Sequence, residues 1–385
     1  MNDKNKKIIL IIIISLISLL AIFCLSKIVI APNAIIFPAI SLPELFYSAP
    51  KSEIIHNQNL PIIETAPVTI MFGGDVMLSR QVNAQMTKNE DYSWPFVKIA
   101  DFLSAADLTI INLESPFIIA ENYSVPTGSF SFQADPQAII GLTKSGIDLV
   151  TLANNHILNQ GAQGLEETKN ILTAEQIKSI GAGQNSEIAW RPEIFTIKDQ
   201  KFAFLAYAYP NDNSVATTDQ PGIANMDIEK MITDVKKLKQ ENDTVIVTMH
   251  AGEEYTTKPN EQQITFAHQA IEAGADLVIG HHPHWPQIWE IYQDKPIIYS
   301  LGNLVFDQMW SKETSQGLLA KLTWQGGWQE IEFIPINIRN YGQAEVMSNE
   351  SEKAILFKKL NIPINGKINL AKPNLKSGPQ LESQP

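Results

Sequence analysis

Short runs of consecutive apolar residues alternate along the chain with stretches in which apolar residues recur every three or four positions. The runs predict strands buried on both faces, and the periodic stretches predict helices packed by one side. Strands are expected at Val68–Phe72, Leu108–Ile111, Leu149–Leu152, Thr244–Thr248, Leu277–Ile279 and Pro296–Ser300. Helices are expected at Trp94–Ala105, Leu165–Gln176, Asp227–Lys239 and Gln262–Ala273. Two segments depart from this alternation. Glu193–Tyr209 alternates around Asp199-Gln200 as an antiparallel hairpin would, and Leu318–Trp324 with Trp328–Ile334 flank Gly326-Gly327 as a second one. Strands and helices taken in turn make an α/β protein.

The ends of the chain follow other patterns. Ile8 to Leu25 is apolar except for Ser15 and Ser18 and follows Lys4, Lys6 and Lys7. As a helix it is about 27 Å long, close to the thickness of a bilayer's hydrocarbon core. A single-pass anchor is expected over residues 1–27, with the leading lysines in the cytoplasm and everything after Lys27 outside. A cleaved signal peptide is the competing reading, but no small-x-small cleavage site follows the run. Residues 28–67, rich in proline and without a sustained period, read as a tether. Residues 68–345 read as one domain, and 346–385 as a polar, disordered tail.

Composition adds two constraints. With 44% hydrophobic and 18% charged residues the chain can bury a sizeable core, which excludes wholesale disorder. The first 27 residues carry four lysines and one aspartate, so without them the formal charge moves from −12 to −15. Such an acidic exported part argues against nucleic acid as a partner, and an anionic substrate would need a local positive site. Cys24 is the sole cysteine and lies in the apolar run, leaving no disulfide and no thiolate ligand beyond it.

The candidate chemistry sits where strands end. Gly280-His281-His282-Pro283-His284 places three of the seven histidines in four positions after Leu277–Ile279. On an extended backbone His282 and His284 would share a side and His281 would point away. The two nearby prolines, Pro283 and Pro286, also suit a solvated loop. Yet groups able to bind metal close strand after strand: Asp75, Glu114, Asn155 beside His156, His250, then His282 and His284. Imidazoles, carboxylates and an amide oxygen at one sheet edge would suit one or two divalent ions. His268, inside a helical pattern, and His56, in the tether, are read as structural.

Gly-Gly-Asp-Val-Met-Leu at 73–78, Asn-Leu-Glu-Ser-Pro at 112–116, Asn-Asn-His at 154–156, His-x-Gly-x-Glu-Tyr at 250–255, Gly-His-His-Pro-His at 280–284 and Ser-Leu-Gly-Asn-x-Val-Phe-Asp-Gln at 300–308 occur in this order. Together they resemble the CapA family of poly-γ-glutamate capsule biosynthesis proteins, which is similar to the calcineurin-like metallophosphoesterases. The resemblance implies two packed mixed β-sheets flanked by helices, a four-layer sandwich, with metal at the strand ends. Against the metallophosphoesterase pattern Asp-x-His, Met77 takes the place of the histidine, and Glu114 stands where an aspartate is usual. The family's tryptophan after His250 is Ala251 here.

On that resemblance the expected activity is a metal-dependent hydrolase or transferase acting on a capsule polymer or phosphoester. Asp75, Glu114, Asn155, His250, His282 and His284 would hold manganese, zinc or iron. His156 would protonate the leaving group or orient the substrate, and Glu254 and Asn303 would support the site. The expected partners are the membrane and the proteins of capsule-polymer synthesis and export. The alternative is a non-catalytic component of such an assembly.

Overall fold

The computed structural model describes residues 66–119, 130–209 and 214–371. The expected anchor, most of the tether and residues 372–385 lie outside them. Among the described residues no helix is long and apolar enough to cross a membrane.

In chain order the strands are β1 (Val68–Val76), β2 (Leu108–Leu113), β3 (Leu149–Thr151), β4 (Lys178–Ile180), β5 (Ala182–Gly183), β6 (Glu193–Ile197), β7 (Gln200–Ala208), β8 (Gly222–Ile223), β9 (Thr244–His250), β10 (Leu277–His281), β11 (Trp289–Tyr292), β12 (Lys295–Ile298), β13 (Asn303–Val305), β14 (Gln316–Trp324), β15 (Trp328–Arg339), β16 (Gln343–Val346) and β17 (Lys367–Asn369). The larger sheet runs β16-β15-β14-β1-β2-β3-β4, with β13 also on β1 and β17 on β15. β1 to β4 are parallel, whereas β14, β15 and β16 extend the sheet antiparallel. The second sheet runs β11-β12-β10-β9-β7-β6, and its four middle strands are parallel. Both sheets are therefore mixed, and each has a parallel core whose strands end on one edge.

Strand β7 shows how the sheets are covered. Phe202, Phe204, Ala206 and Ala208 join the core shared with the larger sheet, while Ala203, Leu205 and Tyr207 join a second core with Met231, Val235, Phe266 and Ala270. This period of two puts one face of β7 against a sheet and the other against the helices Ile228–Lys239 and Glu261–Ala273. The sheets touch through Phe202 against Trp324, 5.6 Å apart and edge-on, and through Trp289 and Phe333 at 6.2 Å. Both hairpins form, with Lys198 and Asp199 at φ 49° and 64° in the first turn and Gly326 and Gly327 at positive φ in the second.

Two expectations are corrected and one helix is added. Trp94–Ala105 is helical only from Ala100 to Ser104, and the residues before it form successive tight turns, with the Trp94, Phe96 and Ile99 N–H groups donating to the carbonyls of Asp91, Ser93 and Phe96. The helix Arg80–Lys88 was not anticipated; it buries only Val82 and Met86, four residues apart among polar neighbours. The stretch read as a disordered tail is ordered as far as residue 371. Asn349 caps a helix over Glu350–Lys359, and β17 pairs with β15. Its apolar residues, Ala354 to Phe357, are consecutive rather than periodic, and Ile355 is exposed, so the helix lacked an amphipathic signature.

Candidate metal centre

Asp75 lies near the end of β1, in register with Asn112 of β2 on one side and Asn303 of β13 on the other. Glu114 follows β2, His250 ends β9, and His282 and His284 follow β10. The parallel edges of both sheets thus deliver their last residues to one place. The ligand atoms of Asp75, Glu114 and His284 all lie within 4.8 Å of one another, and all three residues are buried. His250 is next, its Nδ1 4.0 Å from Glu114 Oε1 and its ring 4.7 Å from that of His282. Asn155 Oδ1 is 2.9 Å from His250 Nε2. Asn303 Oδ1 is 2.9 Å from His284 Nδ1, and the Asn303 amide donates to Gln308 Oε1 and the Thr314 carbonyl.

His156 stands at one side, its Nδ1 3.1 Å from Asn159 Oδ1 and its ring 4.1 Å from that of Phe132. Glu254 is exposed at the rim, close enough for its charge to act on His282 and His284. Met77 brings no ligand to the site. It is fully buried, and its sulfur accepts the Ser79 backbone N–H at 3.1 Å.

The expectation that His281 points away does not hold. It is 2% exposed, with Nδ1 3.4 Å from Asp75 Oδ1. Side alternation requires an extended backbone, and here His282 has φ 100° and His284 φ 58°. These left-handed residues wrap the segment around Asp75, which also receives the His282 backbone N–H at 3.2 Å. Non-glycine residues at such angles cost free energy and persist where the surroundings enforce them.

Asn112 was not identified as a site residue. Its Nδ2 lies 2.8 Å from Asp75 Oδ1, 3.3 Å from Glu114 Oε1 and 3.1 Å from His250 Nδ1. Its Oδ1 accepts from Thr151 and Asn154. Asn154 in turn accepts the N–H groups of His156 and Ile157, so one amide ties three strand ends together. The available signal was its position two residues before Glu114, on the same side of β2. Replacing Asn112 by alanine is expected to weaken divalent-metal binding roughly 10- to 100-fold, as loss of a supporting hydrogen bond to ligands does. Competition with a metallochromic chelator measures this, and an unchanged affinity would remove Asn112 from the site.

The electrostatics suit a cation. Burial raises the Asp75 pKa, but the His281 and His284 imidazoles outweigh it and hold the carboxyl well below its usual range. Burial and then the Asp75 charge push Glu114 well above its usual value. Burial also lowers His250, and takes His156 and His282 down to about 4. For His284 burial is outweighed by Asp75 and Glu114, which lift it to about 9. In chelator-treated protein the histidine shifts predict a stability maximum near neutral pH, while Glu114, its pKa raised by burial, contributes a loss of stability as pH rises from its ordinary value of 4.5. Histidines held neutral by the fold destabilise it as pH falls from about 6.5 to 4, whereas the charged His284 loses its stabilising contribution as pH rises from about 6.5 to 9. A melting temperature flat across that range would contradict the geometry. Buried atoms without a hydrogen-bond partner include Glu114 Oε2, both His281 ring nitrogens and His282 Nδ1. Such atoms are costly unless something binds them, and a hard divalent ion matches this set of oxygens and imidazoles.

The family described as bacterial capsule synthesis protein PGA_cap matches residues 69–308. The chain is 27% identical over 304 residues to capsule biosynthesis protein CapA of Bacillus anthracis, covering 77% of this chain and 74% of that protein. It is 28% identical over 291 residues to PGA biosynthesis protein CapA of Bacillus subtilis strain 168, covering 75% and 76%. Among solved structures, a putative 5'-nucleotidase from Staphylococcus aureus aligns at 15% identity and a TM-score of 0.42, covering 77% of this chain and 58% of that one.

Proposed function

Because the chain belongs to the PGA_cap family of bacterial capsule synthesis proteins, we propose that it is a membrane-anchored, extracytoplasmic hydrolase or transferase dependent on divalent metal and acting in poly-γ-glutamate capsule biosynthesis or export. The observation that carries this reading is the buried meeting of Asp75, Glu114 and His284 beside ring nitrogens and a carboxylate oxygen that make no hydrogen bond. Asp75, Glu114 and His284 would hold the metal, with His250, His282 and Asn155 around them, in an arrangement of the metallophosphoesterase kind. A bound divalent ion would supply Lewis acidity at a phosphoryl or acyl oxygen and lower the pKa of water toward ~7.

The protein's own groups perform the remaining work. Asn112 and Asn303 fix the orientation of the carboxylates and of His284. His156, neutral at pH 7 and set beside Phe132, orients the substrate or takes a proton from the attacking water. His156→Ala is expected to lower kcat by roughly 10²- to 10⁴-fold and to leave metal content unchanged. Steady-state kinetics on phosphoester and γ-glutamyl amide substrates, with elemental analysis alongside, test this; full activity in the variant would exclude the role.

The position of Met77 favours a second reading. Its sulfur is taken up inside the fold, so the Asp-x-His ligand pair of metallophosphoesterases is incomplete. A non-catalytic component of the capsule assembly would keep the site for polymer binding or for shape. Loss of capsule on gene deletion but not in His156→Ala cells would favour that reading, and turnover by the purified protein would end it.

A further inference from the structure

The whole chain contains three arginines. Arg191 and Arg339 make surface ion pairs with side chains 60% and 51% exposed. Arg80 is different. It follows β1 five residues after Asp75, is 23% exposed, and pairs with Asp307, which is 7% exposed. Both guanidinium edge nitrogens, Nε and Nη2, meet the two Asp307 oxygens, and the Gln81 backbone N–H donates to Asp307 Oδ2 at 3.1 Å. The guanidinium carbon lies 4.8 Å from the centre of the Phe132 ring and 5.6 Å from that of Phe306.

Those two rings also touch the metal centre. Phe132 is 4.1 Å from the His156 ring, and Phe306 is 4.8 Å from the His284 ring. Arg80 therefore shares one aromatic support with the histidine beside the centre and with a histidine of the centre itself. Its charge is a minor influence on Glu114, His156 and Tyr255. Asp307 balances this charge, so what Arg80 brings to an anionic substrate is the directed N–H groups of a held guanidinium rather than a net positive field. A surface ion pair needs neither the aromatic support nor the nearly buried carboxylate.

We propose that Arg80 is a specificity-determining residue of this site, holding a carboxylate or phosphoryl oxygen of the substrate beside the metal centre while Asp307 fixes the guanidinium plane. This deepens the reading given above, since it takes the metal centre as the place of reaction. Arginine is suited to the task because its planar fork carries five N–H donors and remains charged, so it can bridge two acidic groups.

The experiment uses the full chain in detergent, as wild type, Arg80→Lys and Arg80→Gln. Each is titrated by calorimetry with inorganic phosphate and with tri-γ-glutamate, and its metal content is measured. The expected result for Arg80→Gln is binding of at least one probe weakened roughly tenfold or more, as loss of a charge-assisted hydrogen bond implies, with metal content unchanged. Arg80→Lys keeps the charge but not the fork, and its smaller loss provides the test if the glutamine variant does not fold. An effect on phosphate alone assigns a phosphoryl group; an effect on tri-γ-glutamate alone assigns a carboxylate. Binding of both probes unchanged in both variants, or no binding of either by the wild type, overturns the proposal. Wild-type protein devoid of metal would defeat the metal reading, while the same titrations would still decide the role of Arg80.

Discussion

Asp75→Asn is expected to abolish retention of divalent metal, leaving less than about a tenth of the wild-type content after dialysis. Asp75 is the shared neighbour of the whole site: His281 and His284 lie 3.4 Å from its two oxygens, and it accepts from Asn112 and from the His282 backbone. The amide keeps the size, removes the charge and turns one of the two accepting oxygens into a donor, so it also loses the bond from Asn112 or from the His282 backbone. Losing a supporting residue costs 10- to 100-fold in affinity, so losing the central anionic ligand should cost on the order of a hundredfold or more. The fold should survive, because the substitution also relieves the repulsion between Asp75 and Glu114. Elemental analysis with circular dichroism checks both halves of the expectation. Wild-type metal content in a folded Asp75→Asn protein would mean that the metal, if any, lies elsewhere.

Gly74→Ala is the second large effect, and it acts on stability. A Cβ at Gly74 would come within 1.9 Å of the Gly302 carbonyl oxygen, and at Gly280 within 1.9 Å of the Tyr299 carbonyl oxygen. Both obstacles are backbone and cannot rotate away. Relief requires β1 and β13, or β10 and the segment after β12, to separate. At Gly74 that separation breaks the Asp75 N–H bond to Gly302. Overpacking of this kind costs about 3 kcal/mol or more. Thermal or urea unfolding of each variant measures it, and a loss below about 1 kcal/mol would show that the strands separate more freely than this packing allows.

These two sites also show what could be read before the fold was known. Asp75 was legible because it closes an apolar run, and runs buried on both faces read as strands without knowledge of their neighbours. The helices Ile228–Lys239 and Glu261–Ala273 were legible through their period, and the structure adds the Asp227 cap and the Asn260–Gln263 capping box that start them. The opposition of Gly74 to Gly302 was not legible, because 228 positions of sequence separate strands that touch. His281 was misplaced because the alternation rule assumed an extended backbone. Asn112 was passed over because an asparagine beside a carboxylate has no distinctive chemistry until the groups it bridges are known to converge. Arg80 likewise acquires a role only once Phe132 and Phe306 are seen beneath it.

The large sheet has one more consequence, for the order in which the molecule assembles. β1 lies between β2, which follows within forty residues, and β14, which begins at Gln316. A chain emerging amino terminus first exposes the open side of β1, Val68 to Phe72, until the last fifth of the sequence arrives to pair with it. Such distant pairing slows folding and leaves a bare, apolar strand edge in the interval. The half of the sheet that carries Asp75 and Glu114 is made first and completed last. Truncation before β14 should therefore yield a chain that requires a chaperone or aggregates, and a form lacking β14 should not bring Asp75 and Glu114 together with His284.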